Sequence, residues 1–578
     1  MKLEHIEAGR RWWSGQRWSL ALLVFGVSVT AAARPAAACG GFFCDNATPV
    51  NQAAERIIFS VHDDGTVTAV VQIVYSGPAE RFAWVLPVPG QPDISVASNI
   101  ALQRLQQATN PNYQLRTEVR GACLPEPSNA AFASQAGAAE DGGGGVAPSN
   151  SGVQVLDQGS VGPYDYVLIS AQTGTPDVAD VVVDWLQTNG YDVAPTARET
   201  LGPYLADGMN LVAFRLTKGS DSGEIRPVVL RYAATQPMIP IRPTAVAANN
   251  DMGVMVWVLG PHRAVPLNYF ALEINEARLN WFNPNSNYND VIIAAANEAG
   301  GHGFVTEQAG AAPVLGDTVF SLADEQTWST RFVGQDWSGR QGALIEALVR
   351  QYRGWDGLRR AIDTVLPLPP GVSVDDVLAC PSCVSGQIPS FVPTALLTAV
   401  EQEVIVPMRH VRDLFRTQAY TTRLYTTLSP AEMDVDPRFD FNPDLPAHSN
   451  VHVQTRVIKC DGRWTRSAAP WFVALDSGLT VYGRGNQWPV DSTLALSMPA
   501  NQRILQLSTA GPGTLIRDYS AEIQAQLDEG EAGSAVGLGG GGGHCQLGQW
   551  TRTSLMQTVL LLAVLLLGLR RRWPRPGV

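Results

Sequence analysis

Over residues 56–61 and 66–75, apolar and β-branched side chains alternate or run together, the period-two signature of strands buried on one face or both. Asp63-Asp64-Gly65 between them is a hairpin turn signal, because glycine accepts the positive φ that such turns need. Residues 82–88 form a third predicted strand. Pro87 and Pro89 push it to a sheet edge, since proline has no N–H to give an inner ladder. The period then changes: 100–109 is a short amphipathic helix and 113–120 a strand again.

This first stretch, 39–123, is an N-terminal β-rich segment. A Pro, Ser, Ala and Gly linker at 124–152, with glycine at 142–145, is expected to be disordered. A mixed segment, 153–365, follows. Its pattern predicts strands at 166–170, 210–217, 227–232, 238–246 and 253–259, and helices at 178–188, 196–206, 289–299, 342–352 and 355–365. In the last folded segment, 366–528, a long helix is expected over 394–415, strands over 451–459 and 471–482, and a helix over 516–527. The fold class is α+β, sheet-dominated. Phe82-Ala83-Trp84-Val85-Leu86 echoes Met255-Val256-Trp257-Val258-Leu259; two related β units would explain it, and so would the general likeness of Val-rich strands.

The two ends set an address. Residues 1–38 have the form of a signal peptide: Arg10, Arg11 and Arg17, an apolar run over 18–29, then Ala36-Ala37-Ala38 as a small-residue cleavage site. A twin-arginine route through Arg10-Arg11, or a lipoprotein reading with Cys39 as the lipidated residue, uses the same stretch. At the far end stand a Gly-rich tether (529–549), a hydrophobic transmembrane or sorting helix (550–569) and an Arg-rich cytoplasmic end (570–578). Positive charge stays inside, so the bulk of the chain is expected outside the cytoplasm, at the bacterial cell envelope, with the membrane as a partner through the tail.

Composition narrows the chemistry. Net charge is −12 over 578 residues. No cluster of Lys and Arg occurs between 39 and 550, so nucleic acid is not an expected partner. Only Lys218 and Lys459 lie beyond the leader, which leaves little material for lysine nucleophiles. The phosphate-loop, metalloprotease-helix and nucleophile-elbow patterns are missing. The 15 tryptophans suit either a core or a sugar-binding platform.

Seven cysteines leave one over. Cys545 is the natural leftover in the tether. Short loops suggest Cys39–Cys44 and Cys380–Cys383, with Cys123–Cys460 as a long-range link. Cys380-Pro-Ser-Cys383 also has the spacing of a redox pair. Asp434, Asp436, Asp440, Asn442 and Asp444 form an oxygen-rich run and are weak calcium candidates; Pro437 and Pro443 interrupt it and the EF-hand glycine is missing, so a turn built on Asp and Asn caps is the plainer reading. His448 and His452 are four apart, in a context that favours loop then strand. No other cofactor is expected.

Several motifs together resemble a family of secreted bacterial proteins, the domain of unknown function number 2330. They are Cys39-Gly40-Gly41-Phe42-Phe43-Cys44, Pro49-Val50-Asn51-Gln52-Ala53-Ala54-Glu55-Arg56, Phe82 through Pro89, Asn268-Tyr269, Asn287-Tyr288, Glu298-Ala299-Gly300-Gly301, Phe304-Val305-Thr306-Glu307, Leu428 through Met433, Asp436-Pro437 and Phe441-Asn442-Pro443-Asp444. The resemblance spans most of 39–460 and implies export and a shared fold, with no reaction attached. The C-terminus is similar to tripartite sorting tails of the MYXO-CTERM type in Cys545, the apolar run 555–569 and Arg570-Arg571-Arg572, which implies processing or lipidation at Cys545.

The leading expectation is therefore a non-enzymatic binding or structural ectodomain with an unknown envelope or surface partner. The alternative is an extracytoplasmic hydrolase with an unrecognised site, calcium-dependent or not, which a pocket joining Asp436, Asp440 or Glu307 with His452 or His302 would favour. A redox protein would need an exposed Cys380–Cys383 pair at a helix start.

Overall fold

A computed structural model describes residues 51–76, 83–125, 153–170, 177–191, 196–216, 226–246, 248–486, 488 and 497–536. The leader, Cys39, Cys44, most of the linker, Cys545 and the hydrophobic tail lie outside the described residues. Among the described residues no helix is long and apolar enough to cross a membrane.

The strands are β1 (Asn51–Val61), β2 (Thr66–Ser76), β3 (Ala83–Val88), β4 (Asp93–Val96), β5 (Asn112–Arg120), β6 (Gln154–Val161) and β7 (Tyr164–Ser170). They continue as β8 (Asn210–Leu216), β9 (Val228–Ala233), β10 (Ala248–Gly260), β11 (Arg263–Pro266), β12 (Phe270–Ile274), β13 (Gly303–Ala311) and β14 (Tyr420–Leu428). The last are β15 (Phe439–Asn442), β16 (Val451–Lys459), β17 (Pro470–Ala474), β18 (Thr480–Arg484), β19 (Asn501–Gln506) and β20 (Thr514–Asp518). The protein is α+β and sheet-rich.

A 10-stranded sheet runs β20-β19-β12-β13-β14-β10-β1-β2-β9-β4, and so takes strands from the N-terminal, middle and C-terminal segments alike. Its centre is buried on both faces, which is why β1 and β10 read as near-continuous apolar runs. Ile58, Val70 and Trp257 face a layer of helices drawn mainly from 312–417. Ile57, Phe59, Val71 and Val256 face the sheet β3-β8-β7-β6, whose far side is covered by helices Val178–Thr188 and Ala197–Ala206. At its other end the large sheet shares a core with the sheet β18-β17-β16-β5. Trp257, Trp281, Trp328 and Trp488 are fully buried, so these tryptophans are core mass.

β3 is an edge strand, as its prolines require. The echo of 82–86 in 255–259 is not structural: β3 pairs antiparallel with β8 at an edge, whereas β10 lies parallel to β1 at the centre of the large sheet. The strand expected over 238–246 is an isolated bridge at Met238 and a 3-10 turn Arg242–Val246, because Pro240 and Pro243 remove ladder donors. The run 471–482 is a hairpin, β17 and β18, divided by Asp476-Ser477-Gly478. The region 516–527 begins as β20 and becomes helical only at Ser520.

The helix expected over 394–415 spans Pro393–Val400, a π turn Glu401–Ile405 and Val406–Thr417. Pro407 explains the interruption, since it has no N–H for the Glu403 carbonyl. That oxygen instead accepts from Arg226 Nη2 at 2.9 Å. Arg226 also meets the Glu403 carboxylate at 2.6 Å and Asp356 at 3.5 Å, tying three distant segments together.

Candidate binding cleft

Helix Tyr288–Glu298 leads into β13 through Gly300 and Gly301, which sit at φ 68° and 77°. The Gly301 N–H closes the helix on the Ala296 carbonyl at 2.9 Å. A Cβ on Gly301 would meet Glu432 Cβ at 2.5 Å, so the turn also needs the missing side chain. The turn sets β13 beside β12 and β14, with Glu307 buried beneath the sheet surface.

Glu307 Oε2 lies 2.5 Å from Arg423 Nε of β14, and both residues are almost wholly buried. The Tyr288 hydroxyl donates to Glu307 Oε1 at 2.6 Å. Arg423 donates onward to Thr109 Oγ1 at 2.9 Å and the Gln106 carbonyl at 3.1 Å, and its guanidinium lies over the Trp257 ring. Burial pushes the Glu307 carboxyl up, while Arg423 and Tyr288 oppose that shift by favouring the charged form.

Above this pair opens a cleft of about 530 Å³ between β12, β13 and β19 on one side and the β5–β16 wall on the other; Glu307, Tyr288, Tyr113, Glu276, His452 and Arg263 are among its lining residues. β5 and β16 run parallel, and Cys123 and Cys460, just beyond their ends, are at disulfide distance with Cα atoms 5.0 Å apart. The wall is therefore fastened at one end. His452 stacks on Tyr113, and its Nδ1 lies 3.2 Å from Glu276 Oε1. His448 exchanges backbone hydrogen bonds with Ala309 of β13. Burial, with Arg263 and His452 nearby, lowers His448 to about 4, so its ring is neutral at ordinary pH. Arg263 donates to the Pro446 carbonyl and Thr306 Oγ1, while its buried Nε has no hydrogen-bond partner among the described residues. The buried Ser477 hydroxyl at the cleft likewise has no hydrogen-bond partner among the described residues.

Residues 33–314 match the family model DUF2330, described as an uncharacterized protein conserved in bacteria. No curated protein and no solved structure matches the chain. The DUF2330 match takes in Tyr113, Glu276, Tyr288 and Glu307. It ends before β14, His448 and His452, and before the motifs at 428–444, so it covers less of the chain than the motif resemblance does.

The sequence pointed to Glu307 and His452 as groups that one pocket would have to join, and this cleft joins them. It missed Arg263, Tyr113 and Glu276. An arginine heading the short apolar run Ala264-Val265 was the available signal for the first.

The other candidates go elsewhere. Asp434 pairs with His302 Nε2 at 2.7 Å. Asp436 accepts from the Tyr204 hydroxyl and the Ile241 N–H. Asp440 accepts from Gln236 Nε2. Asn442 is buried and donates to the carbonyls of Ser508 and Gly511, and Asp444 accepts from the Gly511 N–H. Each of these residues is engaged with its own partners. Among the described residues no group of three or more His, Cys, Asp and Glu side chains could hold a metal ion. The calcium candidates keep separate partners rather than converging on one point. Cys380 and Cys383, at disulfide distance, flank the start of one helical turn, Pro381–Val384, after a helix rather than a strand.

Proposed function

We propose that the chain is an exported bacterial envelope protein, anchored through its C-terminal segment, whose ectodomain binds a small polar ligand in the cleft beside Glu307 without transforming it. The observation that carries this reading is the internal pairing of the cleft: Glu307 is held by Arg423 and Tyr288, and His452 by Glu276 and Tyr113. Groups so committed are preorganised for recognition. Outside the Glu307–Arg423 ion pair, the buried cleft atoms without a hydrogen-bond partner among the described residues are the Arg263 Nε donor and the Ser477 hydroxyl, and these remain for a ligand. A buried N–H left unpaired costs roughly 1–3 kcal/mol, which a ligand oxygen recovers. The ligand class is accordingly a small organic acid carrying further polar groups, such as an amino acid, a short peptide or a sugar acid.

Calorimetry with panels of those three classes is the test. Binding of one class, lost in Arg263→Gln, supports the proposal; no binding, or binding indifferent to Arg263, counts against it. For the address, intact mass of protein from native membranes should show a chain ending near Cys545 with added lipid; retention of 555–578 would replace the processed tail by a plain anchor.

A second reading, a hydrolase, draws support from the Glu276-oriented His452 in the same cleft as Ser477. Turnover of chromogenic esters or peptides that disappears in His452→Gln and in Ser477→Ala would favour it.

A further inference from the structure

A separate cavity of about 360 Å³ lies where β1, β2 and β9 face the edge strand β3. Its walls are mainly apolar, with Ile57, Phe59, Val71, Leu86 and Leu230 among them, and Tyr232, Thr235 and Gln236 add polar groups. Residues two apart on a strand share a face, so Glu55 points the same way as Ile57 and Phe59. Glu55 is only 5% exposed, and its Oε2 has no hydrogen-bond partner among the described residues. Among the described residues it makes no ion pair. Arg438 also lines the cavity, but as an exposed side chain. An unpaired buried carboxyl is unfavourable, and burial pushes Glu55 up to about 7.

This is a carboxyl group set among hydrocarbon walls with space in front of it. An ammonium group would supply charge-assisted hydrogen bonds to the lone oxygen, and an attached apolar body would cover the walls. An anionic amphiphile held by Arg438 at the rim would leave the deeper Glu55 unsatisfied. We propose that this cavity binds a small organic amine, with the ammonium on Glu55 and a hydrocarbon or aromatic body along Ile57, Phe59, Val71 and Leu86. The site is independent of the Arg263 cleft.

The test is titration calorimetry on the full-length protein in lipid nanodiscs at pH 8 with n-hexylamine, n-hexanol and hexanoate as probes. The amine is expected to bind at least tenfold more tightly than the alcohol, and hexanoate more weakly than either. Glu55→Gln should bring the amine to the affinity of the alcohol while the alcohol changes less than twofold. Ala69→Leu, which fills the cavity from β2, should weaken amine and alcohol together. The comparison of probes on the unmodified protein needs no variant to fold. An amine no tighter than hexanol, a preference for hexanoate, or an amine preference that survives Glu55→Gln would each overturn the proposal.

Discussion

Two glutamates on strands of the same sheet end in opposite circumstances. Glu307 on β13 meets Arg423 and Tyr288 and becomes part of a network that reaches Thr109 and Trp257. Glu55 on β1 meets hydrocarbon and a cavity. Both are buried, so burial alone does not decide what a carboxyl does. The difference lies in what the neighbouring layer offers: helix Tyr288–Glu298 and β14 supply polar partners on one side, while β2, β3 and β9 supply methyl groups and rings on the other. A paired charge holds a structure in one arrangement, and removal of one partner strands the other. An unpaired carboxyl burdens the structure until it is neutralised or a ligand arrives.

The largest effect should come from breaking the paired side. Arg423→Leu leaves Glu307 buried and unpaired and should destabilise the protein by about 3–5 kcal/mol, whereas addition of Glu307→Leu should restore much of that. Denaturant unfolding of the two variants measures both. If the double variant is as unstable as the single one, Glu307 and Arg423 do not act as a unit. Next comes the fastening of the cleft wall: Cys460→Ser opens a loop of sequence separation 337 and should cost about 2–4 kcal/mol, with loss of protease resistance in 112–124.

The unpaired side should show itself through pH. The folded Glu55 value, about 7, lies above its ordinary 4.5. Its contribution is fully present below 4.5 and is lost as pH rises through 7. Relative to Glu55→Gln, the unmodified protein should therefore lose about 3 kcal/mol between pH 4 and pH 8. His448 has the opposite sign. Its folded value is depressed to about 4 from 6.5, so its contribution is present above 6.5 and is lost as pH falls toward 4. His448→Gln should remove part of the acid sensitivity in that window, on the order of 1–2 kcal/mol, read from unfolding at pH 7 and pH 4.5.

Local pattern revealed much of one side of this comparison and little of the other. The β1–β2 hairpin, the proline-marked edge at β3 and most helices follow from period and turn chemistry. Glu55 was visible in principle, as a carboxyl on the inward face of an alternating run with Ile57 and Phe59. β14 was not. Its sequence Tyr-Thr-Thr-Arg-Leu-Tyr-Thr-Thr-Leu lacks an apolar stripe, yet Thr421, Thr422, Arg423, Thr426 and Thr427 are buried. Arg423 is tolerated there because Glu307 and Thr109 stand beside it, and Thr109 is 314 residues away. β13 was missed for the same reason, since Thr306, Glu307 and Gln308 look like a surface run. A strand whose burial depends on distant polar partners carries no local sign of it.

The most direct test applies one substitution to both places. Glu55→Leu and Glu307→Leu would be compared with the unmodified protein by equilibrium unfolding at pH 8. Opposite signs are expected, with stability raised by Glu55→Leu, which removes an unpaired carboxylate, and lowered by Glu307→Leu, which abandons Arg423. Two changes of the same sign would contradict this contrast.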